Sequence, residues 1–451
     1  MMPYRFLLLL FLLMGAVYLP AQTPLTLEKA IELAMQRDWD LKNARLNTVL
    51  TENALQKVQA QRTPVVTGSG DLRYNPILQT VVIPGAAFGQ PGGEDQKVRF
   101  GTNFSLLLGV DASYKLIDPT YLTRTQLELM RASGNKLTER VVEQDLKSEV
   151  AAAYYELALQ SAQEVLAAQR LSRARDLLAV MKTRAEAGAA LPVDVQKSEL
   201  DLLNAEALRV QSRNQKDRSR LQLASLSGIQ PEDILLPDNI LNISSKELEL
   251  AVVNVSEVNE RPELLEINQR ININALELKL ADQSYRPSLD AFANASMQHL
   301  SNDLALWQRW FPFAFVGLRA NLPIYDGKIR QRNKEGIGLQ MQIQQNNMAA
   351  LREELTLEMQ SAAIELRNAA TTLQYAESAL NTSQSILQTD QTRFREGALL
   401  FSELRNTEFA LREAEAAYLS AAHQWLTVQL RRLRAGGKLY ADAAIHAGLF
   451  D

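Results

Sequence analysis

The sequence predicts a mixed α and β membrane protein in which strands close a barrel and very long helices continue it, built from two internal repeats. Three observations carry that expectation. Two pairs of strands alternate apolar and polar residues over unusual lengths; the runs from Thr120 to Ala187 and from Lys328 to Glu396 contain no proline; and the second half repeats the plan of the first. Strands with one apolar face suit lipid on one side and water on the other. Ordinary globular helices are several times shorter than either proline-free run.

Composition sets the frame for each element. The 451 residues are 46% hydrophobic and 22% charged, which excludes wholesale disorder, and the formal net charge of −4 argues against nucleic acid as a partner. Residues 1–21 read as a secretory signal peptide, with Arg5 as the positive start, Phe6 to Leu13 as the apolar stretch and Ala21 as a small residue at the cleavage point. No cysteine occurs, so disulfides, thiolate metal sites and a lipid anchor beside the signal are excluded. His299, His423 and His446 lack ligand spacing, and neither a metal nor a cofactor is expected. After the signal no window offers the ~18 consecutive apolar residues of a spanning helix. Membrane crossing therefore falls to strands.

The repeat is read by setting Gly188 on Gly397, which pairs Asp194 with Glu403, Glu199 with Glu408 and Ala205 with Ala414. Upstream, Gly109 falls on Gly317 and Asp118 on Asp326. The first repeat spans 22–228: a helix, a strand pair within 64–118, a long helix 120–187, a tip turn and a return helix 192–226. A connection at 229–260 leads to the second repeat, 261–435, with a helix, a strand pair within 287–325, a long helix 328–396, a tip turn and a return helix 402–435. Residues 436–451 form a tail. Extra length in the first copy, ILQTVVIPGAAFGQPGGEDQKV at 77–98, reads as a long loop.

Within the strands Val66, Gly68, Gly70, Leu72 and Tyr74 share one face, as do Leu106, Leu108, Val110, Ala112 and Tyr114. The second copy repeats this in Ala291, Ala293, Ala295 and Met297, and in Val316, Leu318 and Ala320. In the second return helix Leu404, Leu411, Tyr418 and Trp425 recur every seven residues, with Thr407, Ala414, Ala421 and Val428 between them, a seam suited to close antiparallel packing. The first copy has Arg209 and Lys216 in place of Tyr418 and Trp425. Four strands cannot close a barrel, and lipid tolerates no bare strand edge. Several copies must pool their strands, and the same symmetry gathers their helices into a tube. A barrel joined to a helical cylinder makes a conduit.

The order of PLTLEKAIELAMQRDWDL (24–41), RPEL (261–264), the YDGK turn (325–328) and the paired glycine breaks resembles the TolC-like outer-membrane efflux protein family over nearly the whole mature chain. The resemblance implies a homotrimer with a twelve-stranded barrel in the outer membrane, four strands per chain, and a helical barrel in the periplasm. It also implies an exit duct that meets a periplasmic adaptor protein and an inner-membrane transporter. On that reading Gly188, Pro192, Asp194, Gly397 and Glu396 belong to the tip turns that dock the adaptor. Glu403 and Asn406 take the two acidic positions of the periplasmic gate. Phe394 and Leu399 stand where the family's pattern has a tyrosine and an arginine, so closure is expected from their packing, or from Arg393 and Arg395 pairing with Glu396 or Glu403. A ring of Glu403 carboxylates would favour cations in the bore; the bland alternative is a carboxylate complementing a helix start.

No GxSxG, P-loop, HExxH or well-placed GxGxxG occurs, so an enzyme is not expected. The favoured cargo is small molecules delivered by a tripartite pump. The alternatives are a duct for type I protein secretion and, from a different class, an exported coiled-coil or pore-forming protein.

Overall fold

The computed structural model describes residues 24–84, 96–237, 240–243, 255–303 and 309–437. The expected signal peptide, His446 and most of the expected tail lie outside the described residues. In chain order the elements are α1 (Leu27–Arg37), α2 (Trp39–Ala60), β1 (Val65–Tyr74), β2 (Gln79–Ile83), β3 (Gln96–Phe100), β4 (Phe104–Ile117), α3 (Tyr121–Glu186) and α4 (Pro192–Ser227). The second half supplies α5 (Pro262–Gln283), β5 (Ser288–Ser301), β6 (Trp310–Asn321), α6 (Ile329–Arg395) and α7 (Phe401–Ala435). Among the described residues no helix is long and apolar enough to cross a membrane.

The chain divides into two compact units, and neither is a sequence repeat. One comprises residues 46–136 and 266–348, the other residues 1–45, 137–265 and 349–451. Each unit draws on both repeats because the partners of a repeat's strands and helices lie largely in its sister repeat.

In the first unit β1, β4, β5 and β6 form one antiparallel sheet in the order β1-β4-β5-β6. The central pairing, β4 with β5, joins the two repeats. Register sets Gly68 beside Val110, Val110 beside Ala295, and Ala295 beside Ala314, so a single apolar face runs across all four strands. The opposite face carries Thr67, Ser69, Asp71, Arg73, Asp111, Asn294 and Ser296. Among the described residues the outer edges of β1 and β6 have no partner strand. The stretch read as a long loop at 77–98 is in part a second hairpin: β2 pairs with β3, Val81 opposite Val98. Its prolines and glycines drew attention from the alternation in QTVVI and QKVRF, which is what pairs; residues 85–95 between them lie outside the described residues.

Repeat symmetry also fixes where the long helices begin. Asp118 accepts the Thr120 N–H at 2.9 Å and pairs with Arg124 at the start of α3. Its mate Asp326 accepts the Lys328 and Arg330 N–H groups at 3.1 and 2.7 Å at the start of α6. Each satisfies orphan amides that a helix start leaves open.

In the second unit the hairpins close on heptad seams. Along α6, Met359, Leu366, Leu373, Leu387 and Phe394 are buried at one seam position, and Ala362, Ala369 and Ala376 at the other. Along α4 the buried residues Ser198, Ala205, Ser212 and Ser219 recur every seven residues, small enough for close helix approach. Arg209 and Lys216 are both used: each meets Glu164 of α3, at 3.1 and 3.6 Å, so ion pairs occupy the place taken by Tyr418 and Trp425 in the other copy. The broad end of the core is centred on Tyr154 and Tyr155; the Tyr154 hydroxyl donates to the Leu25 carbonyl at 2.9 Å. Arg261, itself buried, donates to Glu263, Glu358 and the Ala435 carbonyl, tying the start of α5 to α6 and the end of α7.

A candidate gate at the helical tips

Both proline-free helices stop by the same local chemistry. Gly188 and Gly397 adopt φ of 70° and 78°, the left-handed region that a side chain resists, and an added Cβ at either would meet open space. The residue after each glycine donates back five positions, Ala189 to the Arg184 carbonyl at 2.7 Å and Ala398 to the Arg393 carbonyl at 2.8 Å. This is a Schellman closure, which satisfies carbonyls the helix end leaves free. The chain then turns through an extended Leu191 or Leu400 into the return helix. Pro192 opens α4 at a position where its missing N–H costs nothing.

Asp194 and Glu403, the carboxylates six residues past each glycine, stand in the first turns of α4 and α7. Glu403 accepts the Leu400 N–H at 3.1 Å, so one of its oxygens serves the helix start while the side chain stays exposed. Asp194 instead meets Lys197 at 3.3 Å. Asn406 is exposed one turn beyond Glu403. Glu396 is exposed at the start of the second tip turn. Arg393 lies 3.7 Å from Asp390 rather than beside Glu396 or Glu403.

The second tip differs from the first in what holds it. Phe394 is only 4% exposed and sits in a cluster with Met181, Leu387, Phe401, Leu404 and Leu411, with Leu399 packed at its margin. Arg184, from the last turn of α3, stacks on the Phe394 ring at 4.1 Å and donates to the Phe394 and Arg395 carbonyls at 2.5 and 3.3 Å. One guanidinium thus joins the first hairpin to the end of α6 by cation–π contact and two carbonyls. Sequence reading passed over Arg184, although it is the repeat mate of Arg393 within the matching strings TRAEAG and TRFREG.

Two turns further from the tips the hairpins meet again through charge. Arg405 grips Asp201 with two hydrogen bonds, 2.8 and 3.1 Å, and Arg173 reaches Glu415 at 3.5 Å. Arg170, Arg412 and Glu408 line the same small cavity. Burial pushes the Glu408 carboxyl above the usual range, with Arg173 and Arg412 opposing; Glu415 is raised for the same first reason. Burial likewise lowers Arg170, helped by the nearby Arg412 charge.

A sheet with one apolar face and two open edges, joined to paired helical hairpins that end in matched tips, defines a share of an oligomeric outer-membrane channel. The family model described as outer membrane efflux protein matches residues 30–229 and 255–435, and the chain belongs to that family. It is an outer-membrane channel protein: each chain supplies four strands of a trimeric, twelve-stranded barrel, which a helical barrel continues in the periplasm. Solved structures with the same fold include CusC (17% identical, covering 91% of each chain, TM-score 0.72) and MtrE of Neisseria gonorrhoeae in its open state (18% identical, covering 92% of this chain and 89% of that one, TM-score 0.72). CmeC of Campylobacter jejuni is 14% identical, covering 91% of this chain and 85% of its own, with a TM-score of 0.72. No curated protein matches the chain.

Proposed function

We propose that the protein is the exit duct of a tripartite efflux system, passing small molecules from an inner-membrane transporter and a periplasmic adaptor to the exterior. The observation that carries this reading is the combination of family membership with a sheet whose edges only further copies can close. In it, the tips around Gly188, Pro192, Asp194, Glu396 and Gly397 meet the adaptor, and Glu403 and Asn406 of three chains ring the periplasmic gate. The exposed free oxygen of Glu403 supports that role, since capping uses only the other. Arg184 supplies the latch that Phe394 and Leu399 cannot: it holds the end of α6 to α3 within one chain, and opening requires that contact to let go.

Planar-bilayer recording of the purified trimer tests the gate. Glu403→Gln should lower the preference for cations over anions and weaken block by multivalent cations, because the ring loses its charge. Ion selectivity identical to the parent would remove Glu403 from the gate.

A further inference from the structure

The inner, polar face of the sheet carries one feature that neither pore hydration nor assembly accounts for. Phe311, Phe313 and Phe315 of β6 alternate onto that face and are 52%, 44% and 50% exposed. Their partners across to β5 are Gln298, Ser296 and Asn294, polar side chains that leave each ring about half exposed. A fourth ring, Phe292, faces the same way: it pairs with Gly317, where a Cβ would come within 2.7 Å of the ring. Phe292 meets Phe315 edge to face at 6.0 Å, and Arg319 lies over its other side at 4.9 Å. The glycine makes room and the two neighbours fix the plane, so the site is pre-formed.

Three phenylalanines in a water-filled bore expose apolar surface at a cost. When identical copies close the barrel, β6 of one chain lies beside β1 of the next. The inner face of β1 carries Val65, Thr67, Ser69, Asp71 and Arg73, of which Asp71 and Arg73 already hold each other at 2.8 Å. Only one of these five is apolar, too little to cover the rings. Among the described residues none is assigned to cover them, which leaves them to what passes through.

From this we infer that the Phe311–Phe313–Phe315 stripe with Phe292 is a specificity-determining surface for apolar, ring-bearing cargo, which stacks on it in transit through the outer half of the barrel. The aromatic faces supply stacking and edge-to-face contact to flat apolar groups. The inference rests on the channel reading.

The test is block of single trimers in planar bilayers by tetraphenylphosphonium added to the outer side, with hexaamminecobalt(III) as a cation lacking ring surface. The triple variant Phe311→Ser, Phe313→Ser, Phe315→Ser should still form conducting trimers and bind hexaamminecobalt equally, but shorten tetraphenylphosphonium dwell times by about tenfold or more relative to that reference cation. Should the triple variant not insert, Phe313→Ser alone is read in the same way, with a smaller shortening. Dwell times unchanged in a conducting variant, or a conducting parent that tetraphenylphosphonium never blocks, overturn the inference. A parent trimer that forms no conducting channel overturns the channel reading instead.

Discussion

The two return helices, α4 and α7, take matching places in the two repeats, each after a tip turn of the same kind and with a heptad seam toward its own hairpin, yet their opposite faces are unlike. On α4 the outward heptad positions hold Val193, Leu200, Leu203, Val210 and Leu221, all exposed, with Leu200 at 56% and Val210 at 61%. On α7 the exposed face instead runs Glu403, Asn406, Ala410, Glu413, Ala417, Ser420 and Gln424; the repeat mates of the α4 positions are Ser402, Phe409, Arg412, Leu419 and Leu430, of which both leucines are buried and Phe409 is the one large apolar side chain left exposed. An apolar heptad left open within a chain wants a permanent helical neighbour. A polar or small one tolerates water and separation. Duplication thus gave the protein two hairpins of one design, one with an apolar outward face suited to a permanent neighbour and the other with a polar face that does not need one.

Placing charge on each face in turn is the strongest test of that division. Leu200→Asp with Leu203→Asp should abolish the trimer, since each leucine withdrawn from water is worth about 1.5–3 kcal/mol and a buried carboxylate adds a further penalty. Ala410→Asp on α7 should leave the trimer intact. Native mass measurement in detergent reads both outcomes, and equal loss of assembly from the two faces would end the comparison.

The next largest effect belongs to the fastening of the second tip. Phe394→Ala empties a buried site and should cost about 3–5 kcal/mol of local stability. Arg184→Ala removes a stack and two carbonyl contacts, for about 1–3 kcal/mol. Hydrogen exchange should speed at the α6–α7 turn in both variants while the α3–α4 turn changes less, and Arg184→Ala should raise trimer conductance. Arg184→Lys, which keeps the charge but not the planar fork, should rescue only part. Exchange that speeds equally at both turns would show that Arg184 stabilises the hairpins generally and is no latch.

Much of this architecture was legible because the physical demands repeat. Gly188 and Gly397 close their helices and the strand faces follow from alternation, so one sequence compared with itself predicted them; the same comparison set Asp118 on Asp326, and the structure adds that both cap helix starts. What escaped was whatever breaks the symmetry. Arg405 and Asp201 form a two-pronged pair, but their repeat mates are Gln196 and Ala410, which cannot, so no internal comparison points to it. The aromatic stripe of β6 falls on the face that alternation marks as polar, opposite Val316, Leu318 and Ala320, so periodicity does not point to it. Among the described residues the β2–β3 hairpin exists in the first copy alone. Glu403 was found by position, while its bond to the Leu400 amide needed coordinates.

The smallest effect lies where the hairpins meet through charge, and its sign is opposite to that at the Arg261 hub. Glu408 is raised, first by burial, with Asp201 adding to the rise and Arg173, Arg412 and Arg170 opposing it. A raised group contributes stability that is present below the usual carboxylate range and is lost as pH rises through its folded value. Contact between α7 and the first hairpin should therefore loosen from mildly acid to neutral pH. At Glu263 burial also pushes upward, but the hydrogen bonds and charge of Arg261 outweigh it and hold the carboxyl low. Its contribution is present above the usual range and is lost as pH falls through the depressed value. Hydrogen exchange along α7 and around Arg261, followed from pH 7 toward acid with rates corrected for intrinsic exchange, should show protection rising at the first and falling at the second. Glu408→Gln should flatten the first trend and leave the second. Parallel trends at both places would mean that acid acts on the whole helical unit, and that the junction between the two hairpins has no titration of its own.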